Sequence, residues 1–219
     1  MAARIVILSL FTLFSLAYSA KDEYAVTEEV YFDVEIKNYE KNEDYRGRFV
    51  VGVFGDICPV TALNFISLAE GFKRSGKQKL HYKNTPVHKV VKDFVIQMGD
   101  VSKKDGTGEI SIYGGTFADE NFVVSHQSAG IVSMANHGKD SNGSQFFVLL
   151  TKSRWLDQKH VAFGKVVKGM DVVRLIGELE TKSDNKPFKP VKIVDSGIVG
   201  LERKYFLNET QMQSDDDLF

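Results

Sequence analysis

Histidine, cysteine and serine are the side chains that most often make and break bonds, and in this chain their surroundings argue against such roles. The histidines are His81, His88, His126, His137 and His160. None stands four residues from another and no His-Glu-x-x-His occurs, so no helical zinc pair and no metal site are expected. The single cysteine, Cys58, directly precedes Pro59 and reads as a packing residue at the start of a helix, not as a nucleophile. One cysteine also excludes a disulfide framework and any zinc site made mainly of thiolates. Ser144 lies in Asn142-Gly143-Ser144-Gln145, which is not the Gly-x-Ser-x-Gly elbow of a hydrolase. Asp105-Gly106-Thr107-Gly108-Glu109 is glycine-rich but lacks Gly-Lys-Ser/Thr and opens no helix, so it makes no phosphate loop. No cofactor is expected.

The elements that must position any site are mostly strands. Val30 to Lys37 alternates apolar and polar residues, the period of a half-buried strand. After a polar stretch, Arg46 to Phe54 reads as the returning strand of a hairpin. Pro59 near its start and Gly71 at its end bracket a helix of about three turns, with Ala62, Phe65, Ile66 and Ala69 on one face. Strand-like runs follow at Pro86 to Val91, Phe94 to Met98, Ile131 to Ala135, Gln145 to Leu150, Ala162 to Val167 and Val191 to Val199. A second helix is expected over Met170 to Leu179, with Val173, Ile176 and Gly177 inward. The pattern predicts a mainly β fold: a closed eight-stranded antiparallel barrel capped by two α-helices. The connection from Val101 to Ser128 is long enough to suggest a functional loop.

Composition and charge divide the 219 residues further. With 43% hydrophobic and 26% charged residues the chain is of ordinary globular type. A net charge of −1 removes the simplest argument for nucleic-acid binding. Arg4, the apolar run Ile5 to Leu16 and the small residues Ala17, Ser19 and Ala20 describe a signal peptide over 1–20. That run is shorter than the roughly 20 apolar residues that span a bilayer, so no transmembrane segment is expected. The destination is then the secretory pathway, either the endoplasmic reticulum lumen or the outside of the cell; no Lys-Asp-Glu-Leu-type signal follows Asp215-Asp216-Asp217-Leu218-Phe219. Acidic residues gather after Gly200, so the body of the domain is placed at 28–200 and a flexible acidic tail at 201–219. The basic run Lys73, Arg74, Lys77, Lys79, His81 and Lys83 reads as a solvated loop. Asn142-Gly143-Ser144 and Asn208-Glu209-Thr210 are sequons, of which Asn208 is the better glycan acceptor.

Several segments in series resemble one family. They are Val87-His88-Lys89-Val90-Val91-Lys92-Asp93-Phe94-Val95-Ile96-Gln97, Ser111-Ile112-Tyr113-Gly114, Ser133-Met134-Ala135-Asn136, Asn142-Gly143-Ser144-Gln145-Phe146-Phe147 and Trp155-Leu156-Asp157-Gln158-Lys159-His160. Their order and spacing resemble the cyclophilins, which are peptidyl-prolyl cis-trans isomerases. With the leader, the chain is similar to the secretory cyclophilin B and C kind. The resemblance runs from about Val30 to Gly200 and implies a groove on the outer face of the barrel. It implies that Phe94, Val95, Phe147, Leu156 and His160 hold the substrate proline ring. Gln97, Ala135, Asn136 and Gln145 would bind the flanking backbone, and Trp155 would contact the cyclic peptide cyclosporin. The implied partners are proline-containing segments of client proteins, met by a monomer.

The chemistry suits a site without acid, base or nucleophile. The barrier to prolyl isomerisation, about 18–20 kcal/mol, is the partial double bond of the amide. A catalyst must hold the twisted amide better than the planar one. Twisting returns a lone pair to the proline nitrogen, and a cationic donor aimed there lowers the barrier. The family carries this donor as an arginine after a histidine; here the pair is His88-Lys89. A lysine keeps the charge but loses the planar fork, so a weakened isomerase is expected. Met98 and His137 also depart, where the family usually has glycine and a small residue. His137 is expected to narrow the pocket for residues preceding the proline. The competing readings are a non-catalytic Xaa-Pro-binding escort for a secretory client and, behind it, an extracellular signalling ligand.

Overall fold

The computed structural model describes residues 23–73 and 79–219. The expected leader, 1–20, and Arg74 and Lys77 of the basic run lie outside the described residues. An eight-stranded sheet dominates. In chain order the strands are β1 (Glu23–Val26), β2 (Glu28–Glu40), β3 (Glu43–Val53), β4 (Val87–Val91), β5 (Val95–Met98), β6 (Ile131–Met134), β7 (Phe146–Leu149), β8 (Ala162–Lys168), β9 (Val191–Val199) and β10 (Tyr205–Asn208). The helices are α1 (Pro59–Glu70), α2 (Met170–Gly177) and the short α3 (Glu209–Gln213).

The spatial order is β4-β5-β7-β6-β8-β3-β2-β9, with every neighbouring pair antiparallel. The two ends of this order meet through a bridge between Pro86 and Lys192 and through the bonds Asn84 N to Ile193 O and Ile193 N to Thr85 O. The barrel is thereby nearly closed, which leaves little unpaired edge.

Alternation along the strands sorts side chains between two apolar layers. Inside lie Phe32, Phe49, Phe65, Tyr82, Phe146 and Phe163, with Phe65 edge-on to Phe146 at 5.0 Å and to Phe163 at 4.8 Å. Tilted and edge-on packing is what the quadrupoles of aromatic rings prefer. Helix α1 seals one opening with Ala62, Phe65, Leu68 and Ala69 buried, and α2 contributes Val173, Ile176 and Gly177. Cys58 sits buried before α1, where burial pushes its thiol up to about 12, so it is inert packing. A second layer outside the barrel joins Val95, Phe147, Leu149 and Leu156 to Val26, Leu207 and Met212.

The residues after Gly200 are not a flexible tail, which corrects the sequence expectation. Strand β10 pairs with β1 along Glu23–Val26, and α3 is capped by Asn208, whose side chain accepts from Gln211 N. Asp217 then accepts from the backbone N–H groups of Gly169 and Met170, the orphan donors at the start of α2. The acidic composition that suggested a solvated tail instead caps a helix. Nearby, Lys165 is 1% exposed and donates to Ser128 Oγ, Ala129 O and Ser214 O.

Burial lowers the Lys165 ammonium to about 8. The unfolded chain keeps that proton to about pH 10.4. Between pH 8 and 10 the unfolded state therefore binds more protons, and stability must rise with pH by about 2–3 kcal/mol from this group. Chemical denaturation at pH 7.5 and 9.5 should show the rise in the native chain and lose it in Lys165→Met.

Candidate active site

The site begins with a defect in strand pairing. Val87 faces Met98 across the β4–β5 pair, but Lys89 faces Gln97, so a bulge falls at His88. A bulge inserts one residue and re-aims those beyond it. Without it His88 would stand opposite Gln97; with it Lys89 does. Register then continues across the barrel wall: Gln97 faces Phe147, and Phe147 faces Ser133. The result is a row, Lys89–Gln97–Phe147–Ser133, on the outer face of the sheet, with Ser133 fully buried at its end. The alternate residues Met98 and Phe146 point into the core. The methionine found in place of a family glycine is thus a core residue and does not enter the site.

Over this row lies an open groove of about 480 Å³. His88, Lys89, Phe94, Val95, Gln97, Ala135, Asn136, His137, Phe147, Trp155, Leu156 and His160, all anticipated from sequence, line it. Phe147, Leu156 and Val95 form the buried apolar floor. His160 stands edge-on to Phe147 at 5.4 Å. Its Nδ1 donates to Met134 O at 3.0 Å, and burial keeps the ring below the usual histidine range, so it is neutral at neutral pH. Trp155 lies 61% exposed at the lip, stacked on Phe94 at 5.0 Å. His88 is buried behind Gly106, where neither ring nitrogen makes a well-aligned hydrogen bond among the described residues, and burial lowers its pKa as well.

Gln145, the remaining anticipated residue, works from beneath. It donates through Nε2 to Gly106 O and Gly108 O and accepts from Gln97 Nε2 at 3.0 Å. That fixes which way the Gln97 amide faces. A side recess of about 20 Å³ opens between Gln97, Gly108, Glu109, Ala135 and His137. His137 Nε2 stands 3.7 Å from Glu109 Oε1 at its rim. Of the two sequon residues, Asn142 is fully buried and its Nδ2 donates to Phe117 O and Asp119 Oδ1. That nitrogen is closed to a glycan in the folded protein. Asn208 is exposed at the start of α3.

Sequence reasoning missed Asp100. Its buried carboxylate accepts from the backbone N–H groups of Ser102, Lys103, Asp105, Gly106 and Gly108. Burial alone would raise its pKa, but these donors outweigh burial and hold it well below the usual carboxylate range. Asp100 thus folds the glycine-rich loop around itself, and the loop presents two carbonyls to Gln145. Gly108 permits this because a Cβ there would sit 2.0 Å from Asp100 Oδ1. The available sequence signal was an aspartate followed by small and glycine residues, the composition of a side-chain-organised turn.

Among the described residues no group of three His, Cys, Asp or Glu could hold a metal, and no helix is long and apolar enough to cross a membrane. The arrangement is an apolar socket, a fixed amide pair and a cation in one row. It can grip a ring, hold an extended backbone and place positive charge beside it.

Comparison with known proteins agrees with this chemistry. Residues 31–198 match the family model of the cyclophilin type peptidyl-prolyl cis-trans isomerases. The chain is 44% identical over 202 residues to peptidyl-prolyl cis-trans isomerase CYP21-1 of Arabidopsis thaliana, covering 88% of both chains. It is 43% identical over 178 residues to peptidyl-prolyl cis-trans isomerase B of Saccharomyces cerevisiae, covering 81% of this chain and 82% of that one. A stretch of 172 residues is also 44% identical to the NK-tumor recognition protein of Mus musculus, but covers only 12% of that protein. The chain belongs to the cyclophilin-type peptidyl-prolyl cis-trans isomerases.

Replacing Asp100 by asparagine leaves N–H donors of the loop without the charged acceptor. Each unmet buried donor costs about 1–3 kcal/mol, so Asp100→Asn should lower unfolding stability by at least that amount. It should also weaken proline-peptide binding, because Gly106 and Gly108 no longer anchor Gln145. Denaturation curves and peptide titration check both effects, and a loss of stability with unchanged affinity would contradict the second.

Proposed function

We propose that this chain isomerises Xaa-Pro bonds in client proteins of the secretory pathway, at a rate limited by Lys89. The observation that carries the reading is the bulge at His88, which sets a cation in the same row as Gln97 and Phe147. A proline ring on Phe147, Leu156 and His160 leaves its amide beside that cation. Gln97, fixed by Gln145, binds the adjoining carbonyl. Positive charge next to the proline nitrogen favours the twisted amide, where the lone pair is localised, over the planar one. Nothing needs to be protonated, since no bond breaks.

Lysine serves this role less well than arginine because it is a compact, strongly hydrated point donor without a fork. Full loss of one such preorganised donor costs about 10²–10³ in rate. Lys89→Ala should fall toward that limit, and Lys89→Arg should exceed the native rate in a proline-peptide isomerisation assay. Equal, high rates for native protein and Lys89→Arg would remove the proposed limitation. Tight peptide binding without turnover in either would favour the escort reading, which the Lys89 substitution also suits.

The secretory assignment rests on the leader pattern of residues 1–20 and on Asn208, an exposed sequon asparagine. Finding the protein in the cytosol, without a glycan and with its leader uncleaved, would overturn it. His137 sets the preference for residues preceding the proline. Peptide-library profiles should broaden toward larger residues there in His137→Ala, and matching profiles would count against this role.

A further inference from the structure

Segment 125–130 has two sets of partners. Its first half is bonded to the groove. Ser125 Oγ donates to Asp157 Oδ2 at 3.0 Å, His126 N donates to Asp157 Oδ1 at 2.8 Å, and His126 O accepts from Ser153 N. The His126 ring is fully buried. Its Nδ1 lies 2.9 Å from Asp157 Oδ1, and a carboxylate can only accept, so Nδ1 carries the proton. In the neutral ring Nε2 then accepts from Ser133 Oγ at 2.9 Å. The ring also lies parallel behind Phe147. One imidazole therefore ties the turn carrying Trp155 and Leu156 to the strand row beneath the groove.

The second half of the segment is bonded to residues after Gly200. Ser128 Oγ donates to Met212 O at 2.6 Å. Ala129 N donates to Asp215 Oδ1 at 2.8 Å. Lys165 joins Ala129 O and Ser214 O through one ammonium. The outer apolar layer follows the same route, from Phe147 and Leu156 in the groove to Leu207 and Met212. The family match ends at residue 198, so this bracing lies outside it.

We infer that residues 209–217 form a strap that sets the shape of the groove, with His126 as the positioning residue that passes the strap's hold to the Trp155–Leu156 turn. The inference builds on the isomerase reading but does not require turnover. While the strap is docked, Ser128 and Ala129 are fixed, His126 keeps both of its bonds, and Leu156 stays against Phe147. With the strap released, Ser128 and Ala129 lose their bonds to Met212 and Asp215, the segment is held behind by Gly130, which bonds Leu149 O and Val166 N, and the turn can move away from the floor.

Trp155 is the chain's one tryptophan, so its emission reports the groove directly. The test uses the full chain carrying Ser128→Ala with Asp215→Ala, and His126→Gln separately. Asp216→Asn is the control, since among the described residues that exposed carboxylate pairs with Arg174 alone. Amide exchange at Leu218, which follows the strap and whose N–H donates to Val167 O at 3.0 Å, reads strap release; the Ala129 amide loses its own acceptor with Asp215 and cannot serve as the reporter. Proline-peptide titration followed by Trp155 emission reads the groove. The expected result is faster exchange at Leu218 and altered Trp155 emission in the double variant. Peptide affinity should also fall there by about two- to thirty-fold, the range for coupling through packed networks. His126→Gln should lose affinity similarly while its Leu218 amide stays protected, a split that general destabilisation does not produce. The control should match the native protein. Fast exchange with native emission and affinity would overturn the inference, as would full protection of Leu218 in the double variant. If the double variant does not fold, Asp215→Asn is read the same way. A native protein that binds the peptide without isomerising it would end the isomerase reading and leave this test intact.

Discussion

The site depends on one constraint, the two-residue period of a β-strand combined with a single bulge. Strand alternation divides Phe146 from Phe147 and Met98 from Gln97, sending one of each pair to the core and the other to the groove. The inserted residue at His88 then shifts β4 by one position. Because a shift of one exchanges the faces of a strand, the bulge decides which side chain completes the row. It selects Lys89, a cation, and turns His88 into a buried ring behind the glycine-rich loop.

Around that row the groove is stiffened by polar bonds to backbone. Asp100 gathers five main-chain donors of the connection that follows it and holds its carbonyls for Gln145. Asp157 ties the opposite wall through the backbone N–H of His126 and the side chains of Ser125, His126 and Arg154. Burial would raise its carboxyl, but bonds from His126 N, the His126 ring, Arg154 and Ser125 outweigh burial and bring it to about 2. Both carboxylates are therefore charged at any physiological pH, and both use that charge to fix the walls of the groove rather than substrate. Prolyl isomerisation suits such a site, since it rewards a rigid, correctly shaped surface and needs no proton transfer.

Much of the fold was legible because it rests on local pattern. The alternating runs became strands, and the Pro59 and Gly71 punctuation enclosed a helix ending at Glu70. The apolar spacing of 170–179 became α2, shorter by two residues at its end. The groove residues were legible through resemblance, not through pattern, since Phe94, Phe147 and Leu156 look like ordinary core residues. The residues after Gly200 were misread because charge was the visible signal. Three consecutive aspartates read as solvated, yet Asp215 and Asp217 meet backbone donors that no linear pattern reveals.

The sequence by itself determined the barrel strands, the two capping helices and the absence of a disulfide, since each depends on residue type and near-neighbour spacing, while it offered the groove residues only through resemblance to a family. The tertiary structure decided three further things. It chose Lys89 over His88 for the row, because a bulge exists only relative to a partner strand. It made Asp100 an organising charge, because its donors converge only once the loop has closed. And it joined residues 209–217 to the groove through Lys165, Ser128 and Ala129, contacts between segments far apart in the chain that form only when the barrel brings them together.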